Sequence, residues 1–260
     1  MEFMADNTAI LQDYSHWDNF IRLWKLRARP DAPYLPEPWW GWHPASGEKL
    51  HSVVVNLCPG PGGKLQSQAC ISCASGCGIS GLSYSAAMLC GVLRAHLADT
   101  ERWHHRLRYR PLMLALGLPE EHISPDTRHH LSIELAPYHS DSALLNQDYL
   151  TKSKDDVVEH TLCFAARASR LIENDRLNRI VIVRAAYSKI RGVAGDRISE
   201  PQNVCREIGT DKISFDIFHL INEELSDVSF VCLSGAHNHL PSPKKLKEII
   251  QYINIHQQTR

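Results

Sequence analysis

Four short apolar runs punctuate the chain, and longer stretches with helical spacing lie between them. The runs fall at residues 51–57, about 130–135, 179–185 and 227–235, and each reads as a buried strand. Residues 8–27 place Ile10, Leu11, Tyr14, Trp17, Ile21 and Trp24 at helical spacing, which predicts an amphipathic helix. Helices are also expected at 81–100, at 155–173 ending before Asn174, and from Ile213 to Leu225. A closing helix is expected at 244–253, with Pro243 near its first turn. Residues 29–47 carry five prolines and three tryptophans, so an irregular but packed segment is expected there. Strands separated by helices or long connections imply an α/β fold. The expected form is a three-layer sandwich around a central four-stranded, mainly parallel sheet.

Composition narrows this picture. The 260 residues are 43% hydrophobic, enough for a sizeable core and against global disorder. One domain over 1–260 is expected, with an N-terminal helix at 1–28, an aromatic proline-rich segment at 29–50 and a core at 51–256. The formal net charge is −1, so any nucleic-acid surface must be local. No apolar run approaches a membrane span and no signal-peptide pattern opens the chain, so a cytoplasmic protein is expected. Eight cysteines are too few for a disulfide scaffold in a chain of this length.

Chemistry gathers where the strands end. The first run passes into Cys58-Pro59-Gly60-Pro61-Gly62-Gly63, a loop whose backbone is left bare for close approach. The second ends in Glu134 and Ala136-Pro137-Tyr138, and the fourth runs into residues 236–243, AHNHLPSP. In a parallel sheet these ends share one edge, where such sheets bind ligands. Arg102, Arg106, Arg108 and Arg110 with His104 and His105 form either a solvated helix end or a phosphate-contacting patch. Cys70, Cys73 and Cys77 are spaced to hold zinc or an iron–sulfur cluster, or else are small residues lining the loop. A fourth ligand would come from Cys58, Cys90 or a distant histidine. The H-x-E signature of zinc deaminases is absent.

The first loop resembles motif A of the uracil-DNA glycosylase superfamily, closest to its single-strand-selective monofunctional branch. That branch carries GMNPGPFGMAQTGVPFG; residues 56–72 here read NLCPGPGGKLQSQACIS. Pro59, Gly60, Pro61, Gly63 and Gln66 are identical, and Ser67 stands for Thr. Upstream, EPWWGWHP is similar to the branch's aromatic segment. His239-Leu240-Pro241-Ser242-Pro243-Lys244 resembles the family's HPSPRN with one residue inserted, and residues 133–137 stand where the family has WNHCPL. The motifs cover about a sixth of the chain; their order and strand context extend the likeness across 30–256.

The resemblance implies an enzyme that flips a nucleotide from DNA and hydrolyses its N-glycosidic bond. It implies a base pocket of Cys58, Pro59, Gly60, Gly62, Gln66, Ile71, Tyr138, His237 and Asn238, with Ser242, Lys244 and Lys245 against phosphates. Catalytic roles fall to Asn56, Glu134 and His239, the last hydrogen-bonding the base O2 as charge develops, with His237 and Asn238 as rivals. Asn56 offers an amide at the mouth of the loop or caps the strand end. No cofactor is required by this chemistry, with zinc or iron–sulfur at the cysteine cluster as the exception. Three departures bear on substrate. Cys58 replaces the water-positioning Asn, Gly62 and Ile71 replace bulky aromatics, and Glu134 replaces the base-reading Asn. An ionised Glu134 repels uracil O4 but accepts from a cytosine amine; protonated, it would act as general acid. The expectation is a 5-modified cytosine, hydroxymethylated or glucosylated as in phage DNA, and a role in phage defence. The alternatives are a uracil or 5-substituted-uracil repair glycosylase, or a non-catalytic binder of flipped bases or single-stranded DNA.

Overall fold

The computed structural model describes residues 2–27, 39–57, 109–123, 128–136, 156–208, 211–233 and 240–257. Within them, mixed α/β structure surrounds a single open sheet of seven strands. The strands are β1 (Trp39–Gly41), β2 (Ser52–Asn56), β3 (His130–Glu134), β4 (Ile180–Val183), β5 (Gln202–Ile208), β6 (Asp211–Phe218) and β7 (Ser229–Cys232). The helices are α1 (Glu2–Arg27), α2 (Arg110–Ala115), α3 (Asp156–Arg170), α4 (Tyr187–Ala194) and α5 (Pro243–Gln257).

The sheet order is β1-β3-β2-β4-β7-β6-β5. The four apolar runs become β2, β3, β4 and β7, which pair in parallel and occupy the middle. Every residue in these four strands is buried, as expected for parallel strands covered on both faces. The sheet is wider than the four strands expected. β1 adds antiparallel to β3, and the β5–β6 hairpin adds antiparallel to β7.

Two readings of the sequence are corrected here. Residues 213–218 are a strand, not the start of a helix. Ile213, Phe215 and Ile217 alternate with polar neighbours and are buried on one face. The same stretch also fits helical spacing through Ile213, Ile217, Leu220 and Leu225, and pairing with β5 and β7 decides between the two. Within the proline-rich segment, Trp39 to Gly41 is not irregular: it pairs with β3 through Trp39 opposite Ile133 and Trp40 opposite Ser132. Its tryptophans are therefore part of the sheet. The helix expected at 81–100 and the cluster Arg102–Arg108 lie outside the described residues.

Helices cover both faces. Phe215 and Phe218 lie three apart on β6 and so point to opposite faces. Phe215 meets Tyr252 of α5 edge-on at 5.8 Å between ring centroids, whereas Phe218 meets Tyr187 of α4 at 5.9 Å. α3 packs across β2, β4 and β3 and touches α4; α2 packs on α5. α1 forms an outer layer on α3. It buries Ile10, Asp13, Tyr14 and Trp17, an i, i+3, i+4, i+7 stripe, whereas Leu11 is 49% exposed. The Asp13 carboxylate takes a two-pronged contact from Arg167 of α3, at 2.8 and 2.7 Å. Tyr14 donates to the Trp42 carbonyl at 2.7 Å, tying the helix to the segment after β1.

Candidate functional site at the carboxyl ends of the parallel strands

β2 and β3 each carry one apolar and one polar face. Side chains alternate along a strand, so Ser52, Val54 and Asn56 share a face with His130, Ser132 and Glu134, their register partners. The opposite face holds Val53, Val55, Leu131 and Ile133. Ile133 pairs with Trp39, whose ring meets Tyr14 of α1 at 4.7 Å, so the apolar face looks toward α1 and α3. The polar face looks the other way. His130, on that face, has the ring of Tyr109 beside it at 5.8 Å, and Tyr109 stands at the start of α2.

A polar column inside a sheet covered on both sides is costly unless it is hydrogen-bonded. Here it is. Ser52 Oγ and His130 Nδ1 lie 2.9 Å apart. Higher along the strands, Asn56 Nδ2 donates to Ser132 Oγ, to the Ile133 carbonyl and to Glu134 Oε1, each at 3.1 Å. Asn56 Oδ1 in turn accepts from Arg184 Nη1 at 3.0 Å. Arg184 follows β4 directly, and its backbone N–H donates to the Val55 carbonyl at 2.9 Å. Asn56, Glu134 and Arg184 thus sit side by side at the carboxyl ends of three adjacent parallel strands. Their exposures are 5%, 2% and 7%. Burial pulls the Arg184 guanidinium below its usual value, and the Glu134 charge pulls it back up. A guanidinium remains cationic under either influence.

Of the expected catalytic residues, the structure joins Asn56 and Glu134 in direct contact. Both ends of the Asn56 amide are engaged, so its part in this arrangement is to hold its neighbours. The structure also brings in Arg184, which the sequence reading passed over. The available signal was the position of Arg184: first polar residue after the buried IVIV run, level with Asn56 after VVV and Glu134 after LSI.

Ser242 stands just before α5 and Lys244 at its second position; both are exposed, and the Ser242 carbonyl accepts from Leu246 N–H at 3.0 Å. Lys245 is half-buried. Arg110 opens α2 and pairs with Glu120, so it is tied into a local ion pair. Cys58, Pro59, Gly60, Gly62, Gln66, Ile71, Tyr138, His237, Asn238 and His239 lie outside the described residues, as do Cys70, Cys73 and Cys77. Among the described residues, no group of three His, Cys, Asp or Glu side chains is placed to hold a metal ion, and no helix is long and apolar enough to cross a membrane.

Chemically, the cluster offers a fixed, buried hydrogen-bond acceptor backed by an amide and a cation. A carboxylate in such a cluster can accept from an N–H donor. Comparison with known proteins found no match to a family model, a curated protein or a solved structure.

Proposed function

We propose that this chain is a monofunctional DNA glycosylase acting on a non-standard pyrimidine, with a 5-modified cytosine as favoured substrate. The product would be an abasic site in DNA, and the setting defence against phage that carry such bases. The observation that carries this reading is the buried acceptor Glu134, held by Asn56 at 3.1 Å where three parallel strands end. A carboxylate in that place accepts from the exocyclic amine of cytosine and repels the O4 of uracil. The resemblance of residues 56–72 to motif A supplies the reaction class. Ser242 and Lys244 at the start of α5 would meet phosphate, as in the family's closing loop. The site would be a sandwich of the glycosylase kind, with the four parallel strands as its floor.

The test is a panel of oligonucleotides and phage DNAs, each carrying one non-standard base, scored for strand scission after alkali. Scission confined to hydroxymethylated or glucosylated cytosine supports the proposal; scission of uracil DNA alone overturns the substrate. Cys58, where the family has its water-positioning Asn, favours a second reading: a binder of flipped bases without catalysis. Tight binding with no base release would select it.

A further inference from the structure

We infer that Arg184 is a positioning residue of this site: through Asn56 it fixes Glu134 as an anionic hydrogen-bond acceptor, which selects a base presenting an N–H donor and removes Glu134 as a proton donor. The substrate half of this statement rests on the glycosylase reading; the positioning half does not.

The Asn56 amide is held in one orientation. Its oxygen faces Arg184 Nη1 at 3.0 Å, and its nitrogen faces the Ile133 carbonyl and Glu134 Oε1, both at 3.1 Å. Turning the amide over would set two donors against each other at Arg184 and two acceptors against each other at Ile133. Arg184 and Ile133 therefore hold one orientation, in which the Asn56 N–H points at Glu134. The N–H bond at Oε1 and the guanidinium one residue further along the same chain of contacts both favour the carboxylate, against the burial of Glu134, which favours the acid. The attraction between the two charges is felt at Arg184 as well, where Glu134 counteracts the effect of burial.

This decides between two chemistries that Glu134 offers on its own. As a general acid it would have to hold a proton at working pH. The Asn56 N–H bond and the Arg184 charge oppose that, and with Glu134 held as the carboxylate protonation of a leaving base would come from elsewhere. As an acceptor it needs to be ionised and fixed in direction, and the Arg184–Asn56–Glu134 chain supplies both conditions. The same chain accounts for an arginine being buried at the end of a strand whose other residues are Ile and Val.

The experiment uses the full chain with carboxyl-labelled glutamate, followed by carbon NMR across pH; the resonance missing in E134Q is that of Glu134. In the wild type it should stay at its ionised position below about pH 4.3, the ordinary glutamate midpoint. In R184Q the midpoint should rise by at least one pH unit, and in R184K by less than half of that. An unchanged midpoint in folded R184Q overturns the positioning role. If R184Q does not fold, the wild type alone decides, because a Glu134 midpoint above about 5 overturns it equally. On whichever DNA the wild type cleaves, R184Q should raise KM about tenfold, with R184K restoring most of the loss. Retention of wild-type KM in R184Q would remove Arg184 from substrate selection. Should the wild type release no base from any DNA, the glycosylase reading falls with the substrate half, while the titration still judges Arg184.

Discussion

Asn56 is the residue on which the site's interior depends. Replacing it with alanine removes contacts to Ser132, Ile133, Glu134 and Arg184 at once and leaves a buried carboxylate and a buried guanidinium without their bridge. Leaving a buried polar partner stranded costs about 1–3 kcal/mol. We expect Asn56→Ala to lose about 3 kcal/mol in urea unfolding, with an unchanged slope against denaturant. Glu134→Ala should instead act on function. Under the proposed activity it should lower kcat/KM on the cleaved DNA by about 100-fold or more, because a site built to pair a polar group discriminates strongly when one side is missing. A Glu134→Ala protein with full base release would remove Glu134 from the site. Glu134 was legible in the sequence because a lone charge closes an apolar run. Arg184 was not, because its partner Asn56 is 128 residues away and only the sheet brings them level.

At the scale of elements, the docking of α1 onto α3 turns on one charged contact within an aromatic interface. Asp13 is 4% exposed, and burial raises its pKa although Arg167 opposes the rise. Removing one member of a buried pair leaves the other uncompensated, at a cost of about 3–5 kcal/mol. Arg167 keeps part of its side chain in water, so Asp13→Ala should fall at the lower end, about 3 kcal/mol. Helix α1 should become the first segment to lose amide protection in hydrogen exchange. The spacing of Ile10, Tyr14 and Trp17 announced this helix; that Asp13 belongs to its buried face was not visible, because an aspartate reads as solvent-facing until Arg167 is opposite. The hairpin β5–β6 failed to announce itself for a different reason. From Gln202 to Glu207, β5 is exposed apart from Val204, so it has no apolar stripe to read there. β6 fits two periods, and only its neighbours choose.

For the whole molecule, acid should weaken the fold. Burial lowers the pKa of His43 to about 4 and of His160 to about 3, and it lowers that of His51. Each depressed histidine is neutral in the folded state while the unfolded chain takes up a proton. Their contribution is therefore complete above pH 6.5 and is lost as pH falls through the folded values. At pH 5 this amounts to at most about 2 kcal/mol for each of His43 and His160. Asp13 has the opposite sign: its raised pKa gives a contribution complete below 3.8 and lost as pH rises through its folded value. Thermal unfolding should thus shift downward between pH 7 and 5, and His160→Gln should flatten the slope. The formal charge of −1 bears on the proposed partner. DNA binding, if it uses Lys244 and Lys245, must come from a local patch, so the salt dependence of affinity should correspond to few phosphates. Neutralising both lysines should lower that slope by about 2.

The parallel centre of the sheet was legible from the apolar runs alone. β4 and β7 are almost wholly apolar and β2 carries Val53 to Val55, as strands covered on both faces favour, whereas β3 shows only Leu131 and Ile133 between buried polar residues. The sequence also marked Asn56 and Glu134, polar residues closing buried strands, as side chains that need partners. The three antiparallel strands were settled by strand pairing: β1 lies in a proline-rich segment, β5 at the other edge has little burial to write into its sequence, and β6, though buried on one face, also fits helical spacing. The joining of Asn56, Glu134 and Arg184 belongs to the folded sheet, because hydrogen bonds across it depend on strand order and register, which no local pattern encodes.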